Sequence, residues 1–213
     1  MINKEVKVIY SDESLVVVIK PGGFLSVPGR GPENQDCVSR RLQYLYPQMI
    51  AQPAVHRLDM YTSGLMVYAI DKESHRSLSI QFQNQEIQKK YIAILEGEVE
   101  GENGEIKLPF RLDTDNRPLQ IYDPVHGKIG HTQWRKLEVN NNLTRIEFTP
   151  HTGRTHQLRV HAAHSKGLGC PIVGDSFYGS GKDGDEMLLH AAFLAFTHPK
   201  TGEKLSFHHE PDF

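Results

Sequence analysis

Apolar and polar positions alternate over residues 6–10, and after a turn at 11–14 residues 15–19 form an unbroken apolar run closed by Pro21-Gly22-Gly23. The first pattern predicts a half-buried strand, the second a fully buried one. Val38, Leu42 and Leu45 then recur at helical spacing before Pro47. Another apolar strand is expected over 65–70, followed by a helix that Asp71 caps, with Leu78 and Phe82 four apart on one face. Residues 91–95 read as a strand, and 133–139 with 143–148 as a hairpin across Asn140-Asn141-Asn142. Thr155 is placed to cap a short basic helix running to about Ser165, and late strands are expected over 187–196 and 204–207. Short turns join many of the strands, and the few helices are irregularly placed. The pattern predicts an α+β fold on a largely antiparallel sheet rather than a doubly wound one.

Composition narrows the class. The chain has 213 residues, of which 38% are hydrophobic and 23% charged, as expected of one folded domain spanning 1–213 and not of a disordered chain. No apolar run approaches the length of a bilayer span, and the N-terminus has no apolar signal segment. Two cysteines, Cys37 and Cys170, cannot build a disulfide framework and suit a reducing compartment. A soluble cytoplasmic protein with no membrane partner is the expectation.

The net charge of −2 speaks against a nucleic-acid binder, but its distribution changes the picture. No Asp or Glu occurs between Thr149 and Asp175, a window that holds Arg154, Arg159 and Lys166 with His151, His156, His161 and His164. The balancing acids lie at Glu96, Glu98, Glu100, Glu102 and Glu105, and at Asp183, Asp185 and Glu186. A near-neutral total thus conceals a candidate positive face, although the same charges would suit a solvated helix.

The densest reactive cluster is His56-Arg57-Leu58-Asp59-Met60-Tyr61-Thr62-Ser63-Gly64, between an irregular stretch and a strand. Asp59, with a cation and hydroxyls nearby, has the means to stay ionised as a nucleophile, general base or metal ligand. It could equally cap a turn. A second cluster, Thr152-Gly153-Arg154-Thr155-His156-Gln157-Leu158-Arg159, places polar and cationic side chains around a helix start, where an anion could sit. His161 and His164 stand three apart, but neither finger spacing nor His-Glu-x-x-His occurs, so zinc is poorly supported. Tyr91 opens a strand after Lys89 and Lys90, a position where a tyrosine commonly packs. No phosphate-binding P-loop or Gly-x-Ser-x-Gly elbow is present.

In combination these strings resemble the RluA family of pseudouridine synthases. The match runs in order through Lys20-Pro21, Leu25-Ser26-Val27-Pro28-Gly29-Arg30, His56-Arg57-Leu58-Asp59 and Thr62-Ser63-Gly64. It continues through Lys90-Tyr91, Asp115-Asn116-Arg117-Pro118, Gly153-Arg154-Thr155-His156-Gln157-Leu158-Arg159, Pro171-Ile172-Val173-Gly174-Asp175 and His190-Ala191. The early strings and the closing Pro211-Asp212-Phe213 are similar to the short branch, which lacks an S4-type RNA-binding domain and modifies ribosomal and transfer RNA. Cys170, where a His often stands, and the longer 163–169 segment depart from the pattern.

The resemblance implies a catalytic fold with a bifurcated, mostly antiparallel sheet flanked by helices and loops, and no S4 domain. It implies isomerisation of uridine to pseudouridine in 23S ribosomal RNA and/or transfer RNA stem-loops, without metal or organic cofactor, by a monomer. It matches Asp59 to the catalytic carboxylate, Tyr91 to the active-site tyrosine and Arg154 to the arginine that pairs with the carboxylate. Arg57, His56, Thr62, His156 and Arg159 are the expected RNA-binding residues. The rival readings are a catalytically silent RNA-binding module on the same basic face and a His-rich metal hydrolase.

Overall fold

The opening alternation forms β1 (Lys7–Ser11), and the apolar run after it forms β2 (Leu15–Lys20), paired antiparallel to β1. In this computed structural model residues 5–213 are described, and the N-terminal stretch read for a signal segment lies partly outside them. The chain divides into two compact units, Met1–Lys89 with His190–Asp212, and Lys90–Leu189 with Phe213.

In the first unit, β2 pairs antiparallel with β3 (Ser63–Ala69). β3 runs parallel to β9 (Leu189–Thr197), and β10 (Lys204–His208) completes the set antiparallel to β9. The helix read from Val38, Leu42 and Leu45 is α1 (Val38–Leu45), with Val38 and Leu42 buried. α2 (Lys72–Gln83) starts where expected, because the Asp71 carboxylate accepts from the Ser74 N–H at 2.9 Å and satisfies an orphan donor of the first turn. Leu78 of α2 is fully buried in a core with Leu15, Val17, Leu65, Val67 and Leu194.

The second unit is antiparallel in the order β4 (Gln88–Glu96), β8 (Leu143–Pro150), β7 (Lys128–Asn140), β5 (Asn103–Leu112), β6 (Gln120–Tyr122). The expected hairpin is β7–β8. Asn141 and Asn142 take φ of 50° and 60°, a left-handed pair that asparagine tolerates and tight hairpins require. β5 and β6 occupy a stretch for which the sequence reading placed no strand. Ile106, Leu108 and Phe110 of β5 do alternate inward onto Val160, but Pro109 interrupts the run.

The late helix corrects the sequence expectation. α3 spans Gln157–Ala163, and the residue before it is His156 in a left-handed conformation, not a capping Thr155. Gln157 organises the entry instead. Its Oε1 accepts from the Thr152 hydroxyl at 2.6 Å and the Arg154 N–H at 3.1 Å, while its Nε2 donates to the Thr132 hydroxyl at 2.9 Å. Residues Gln157 to Ala162 are all buried, so α3 is a core helix and presents no basic face. Among the described residues no helix is long and apolar enough to cross a membrane.

Candidate active site

Asp59 sits on the irregular segment that leads into β3, and buried polar groups hold the peptides on both sides of it. On one side the Ser26 hydroxyl donates to the Leu58 carbonyl at 2.7 Å and accepts from the Leu58 N–H at 3.2 Å. On the other, Lys20 is fully buried at the end of β2, and its Nζ donates to the carbonyls of Met60 (2.9 Å), Phe24 (2.8 Å) and Pro21 (2.9 Å). The Phe24 N–H also donates to the Met60 carbonyl at 3.1 Å, and the Thr62 N–H closes a turn onto the Asp59 carbonyl at 3.2 Å. An amine withdrawn from water needs such partners, and these three are backbone carbonyl oxygens of the segments around Asp59. The Asp59 side chain is partly exposed, on a backbone held from both sides.

The segment is pinned again where it enters β3. Gly64 has φ of 112°, and a Cβ there would lie 2.4 Å from the Ala191 carbonyl oxygen of β9, so glycine alone fits. Beside it the Ser63 hydroxyl lies 2.8 Å from His190 Nδ1, and His190 Nε2 lies 3.1 Å from His209 Nδ1. Burial and the neighbouring His209 push the His190 pKa down to about 4. His56 is likewise internal to this unit: its Nε2 accepts from the Val67 N–H at 3.1 Å and its ring stacks on Phe82 at 4.6 Å. Burial and the Lys89 charge push its pKa down to about 3.

In the second unit, Tyr91 stands in β4 opposite Phe148 of β8, partly exposed. Arg154 is exposed, and its Nε donates to the Ile129 carbonyl at 3.2 Å. Arg159 is 3% exposed and forms a two-pronged pair with the fully buried Asp175 at 2.8 and 2.6 Å. Burial raises the Asp175 carboxyl, but Arg159 and the N–H groups of Phe177 and Tyr178 outweigh it and leave the pKa low. The Arg159 guanidinium also faces the Phe177 and Tyr178 rings at 4.9 and 5.3 Å. His156 is buried, its Nδ1 2.8 Å from the Tyr178 hydroxyl.

Of the five side chains expected to meet RNA, Arg57 alone is exposed. Thr62 is 3% exposed, and His156 and Arg159 are inside the fold for the reasons just given. The positive face read from the acid-free window is smaller for the same reason: Arg159, His156 and His161 are buried, which leaves Arg154 and Lys166 as its exposed permanent cations. Sequence gives a side chain's charge but not its direction. The residues missed as site-builders are Lys20, Ser26 and His190. A lysine ending a fully apolar run was the available signal. Among the described residues no group of three or more His, Cys, Asp or Glu side chains is placed to hold a metal ion.

The Arg159–Asp175 pair carries a stability prediction. Asp175→Asn strands a buried guanidinium, which costs about 3–5 kcal/mol. Urea denaturation should show that loss, and replacing both partners by apolar residues should recover part of it. A loss below about 1 kcal/mol for the single change would show that the pair is not desolvated in solution.

Comparison with known proteins adds an independent finding. A family model described as RNA pseudouridylate synthase matches residues 14–164. The dual-specificity RNA pseudouridine synthase RluA of Haemophilus ducreyi is 43% identical over 219 residues, covering 100% of this chain and 96% of that protein. Its counterpart from Escherichia coli (strain K12) is 41% identical over 210 residues, covering 97% and 93%. Human RNA pseudouridylate synthase domain containing 1 has a TM-score of 0.77 at 26% identity, covering 99% of this chain and 85% of that structure. The fold class expected from the sequence is met.

Proposed function

This chain belongs to the RNA pseudouridylate synthase family, and from that premise we propose that Asp59 is the carboxylate that carries its chemistry. The reaction is the isomerisation of uridine in RNA to pseudouridine. The observation that supports Asp59 is its loop: Ser26 holds the Leu58 peptide and Lys20 the Met60 carbonyl, so the carboxylate between them is positioned before substrate arrives.

In this reading the C1′–N1 bond breaks, the uracil turns, and C5 joins C1′. C5 then loses its proton and N1 gains one, so composition is unchanged. Positive charge develops at C1′, as in glycoside hydrolysis, and a carboxylate on that face stabilises or captures it. Removal of the C2′ proton by Asp59 is the other route open to the same group. We assign Tyr91 to the C5 proton, as base or relay, and Arg154 to the counter-charge of the carboxylate. Arg57, exposed two residues before Asp59, contacts RNA around the target nucleotide. His56, Thr62, His156 and Arg159 act by holding backbone and loops rather than by touching RNA.

A stacked uridine cannot reach the carboxylate, so the target is flipped out of a loop or stem-loop. Ribosomal and transfer RNA are both proposed as substrates, in the cytoplasm and by a monomer. Support for the pair of substrates is the dual-specificity description of the bacterial relatives. The test is to incubate the purified chain with transfer RNA and 23S ribosomal RNA fragments lacking modifications and map pseudouridine in each. Both classes should acquire it at discrete stem-loop positions. Product in one class alone would restrict the proposal to that class, and product in neither would overturn it.

A further inference from the structure

The second unit has a cleft of about 410 Å³ lined by the permanent cations Arg111, Lys128 and Arg154 and by His126, over apolar surface from Phe110 and Leu112. Its walls are fixed in advance. Arg111 Nε donates to Asp123 at 2.5 Å and Nη1 to the Leu112 carbonyl at 3.2 Å. The other Asp123 oxygen accepts from the N–H groups of Val125 and His126, each at 2.9 Å. A Cβ on Gly127 would lie 2.3 Å from the Asp123 carbonyl oxygen and 2.7 Å from the Phe110 nitrogen, so the turn between β6 and β7 is drawn tightly against β5. Hydrogen bonds from the His126 N–H, from Arg111 and from the Val125 N–H hold the Asp123 carboxyl below the usual range.

That rigid turn presents Val125, 78% exposed, next to His126, and Lys128 is followed by Ile129, 57% exposed. Lys128 has no carboxylate partner among the described residues. A lysine with no carboxylate partner beside a guanidinium held in place by one, with exposed aliphatic side chains next to them, forms a surface that takes a phosphate and the flat face of a sugar or base. A purely structural turn would need neither the unpaired lysine nor the exposed valine.

We propose that this cleft is a subsite for the RNA strand flanking the modified uridine, in which one backbone phosphate lies against Arg111 and Lys128. The proposal rests on the assignment of Arg154 to the chemistry, since Arg154 lines the same cleft. Uridine flipping leaves neighbouring phosphates exposed, and a preformed cationic cleft that takes one of them would fix the strand's register.

The experiment measures the dissociation constant of a substrate stem-loop RNA against salt for wild type, Lys128→Gln and Arg111→Gln, with Lys204→Gln as a charge-matched control on β10. Circular dichroism melts check folding, and Lys128→Gln carries the decision because Lys128 pairs with nothing that folding needs. Loss of one phosphate contact should flatten the slope of log affinity against log salt by about 0.7–0.9 and weaken binding roughly three- to tenfold at moderate salt. Lys204→Gln should keep the wild-type slope. An unchanged slope in Lys128→Gln, or an equal change in Lys204→Gln, would overturn the subsite. Tritium release from [5-³H]uridine RNA by the wild-type protein is followed in parallel. Its absence would overturn the chemical reading alone, because the salt slope reports binding without turnover.

Discussion

Asp59→Asn should reduce pseudouridine formation to the level of an enzyme-free control while leaving RNA affinity within a fewfold of wild type. The substitution keeps size and hydrogen-bonding reach but removes the charge that must face C1′, and a neutral amide can neither capture nor stabilise an oxocarbenium-like centre. It also abolishes a base able to take the C2′ proton, so the expectation holds for either chemical route. The loop should survive, since Lys20 and Ser26 hold it through the Leu58 and Met60 peptides, which the substitution leaves in place. A melting temperature within a few degrees of wild type, combined with complete loss of product, separates chemistry from folding. Product formed at a substantial fraction of the wild-type rate would remove Asp59 from the mechanism.

Acid should unfold this protein well above the carboxylate range. Burial holds the folded-state pKa values of His56, His161 and His190 at about 3, 4 and 4, against roughly 6.5 in an unfolded chain. Each depressed base leaves stability fully present above pH 6.5 and removes it as pH falls toward the folded value. Near pH 5 the unfolded chain binds close to three more protons at these sites, a slope of about 4 kcal/mol per pH unit against a typical total of about 5–15 kcal/mol. His161 is the sharpest case: it is fully buried, both ring nitrogens lack a hydrogen-bond partner among the described residues, and its ring meets Phe110 edge-on at 5.8 Å. Urea midpoints measured from pH 7 to 4.5 should fall steeply, and His161→Met should reduce the slope by about one proton. A stability flat across that interval would show that these rings are hydrated in solution.

Much of the fold was legible because it rests on local rules. Asp71 caps α2 through its own neighbour Ser74, and the Asn140-Asn141-Asn142 turn declares the β7–β8 hairpin. β5 was not, since Pro109 breaks a run that tertiary pairing with β7 nevertheless completes. The α3 error has a physical source too. Arg159 and His156 look like solvent-seeking groups, but Asp175 and the Tyr178 hydroxyl, 16 and 22 residues further along the chain, satisfy them inside. At the site, the strings that carry the resemblance mixed two kinds of residue. Arg57 is exposed and Asp59 partly so, whereas Lys20, Ser26, Gly64 and His190 position the loop by contacts such as Lys20 to Met60, 40 residues apart. Spacing along the chain cannot distinguish these kinds, because the contacts that separate them exist only once β2, β3 and β9 have assembled.

The most direct test of the central claim, that this chain's own residues carry the isomerisation through a carboxylate, is single-turnover tritium release from [5-³H]uridine-labelled stem-loop RNA. It uses the purified full chain in excess over RNA, with EDTA present and an RNA that folds without Mg²⁺. One tritium should be released per target uridine, in step with pseudouridine detected in the digested RNA, and Asp59→Asn should release none. RNA bound at wild-type affinity with its tritium fully retained by the wild-type protein would contradict the account and leave a binding module in its place.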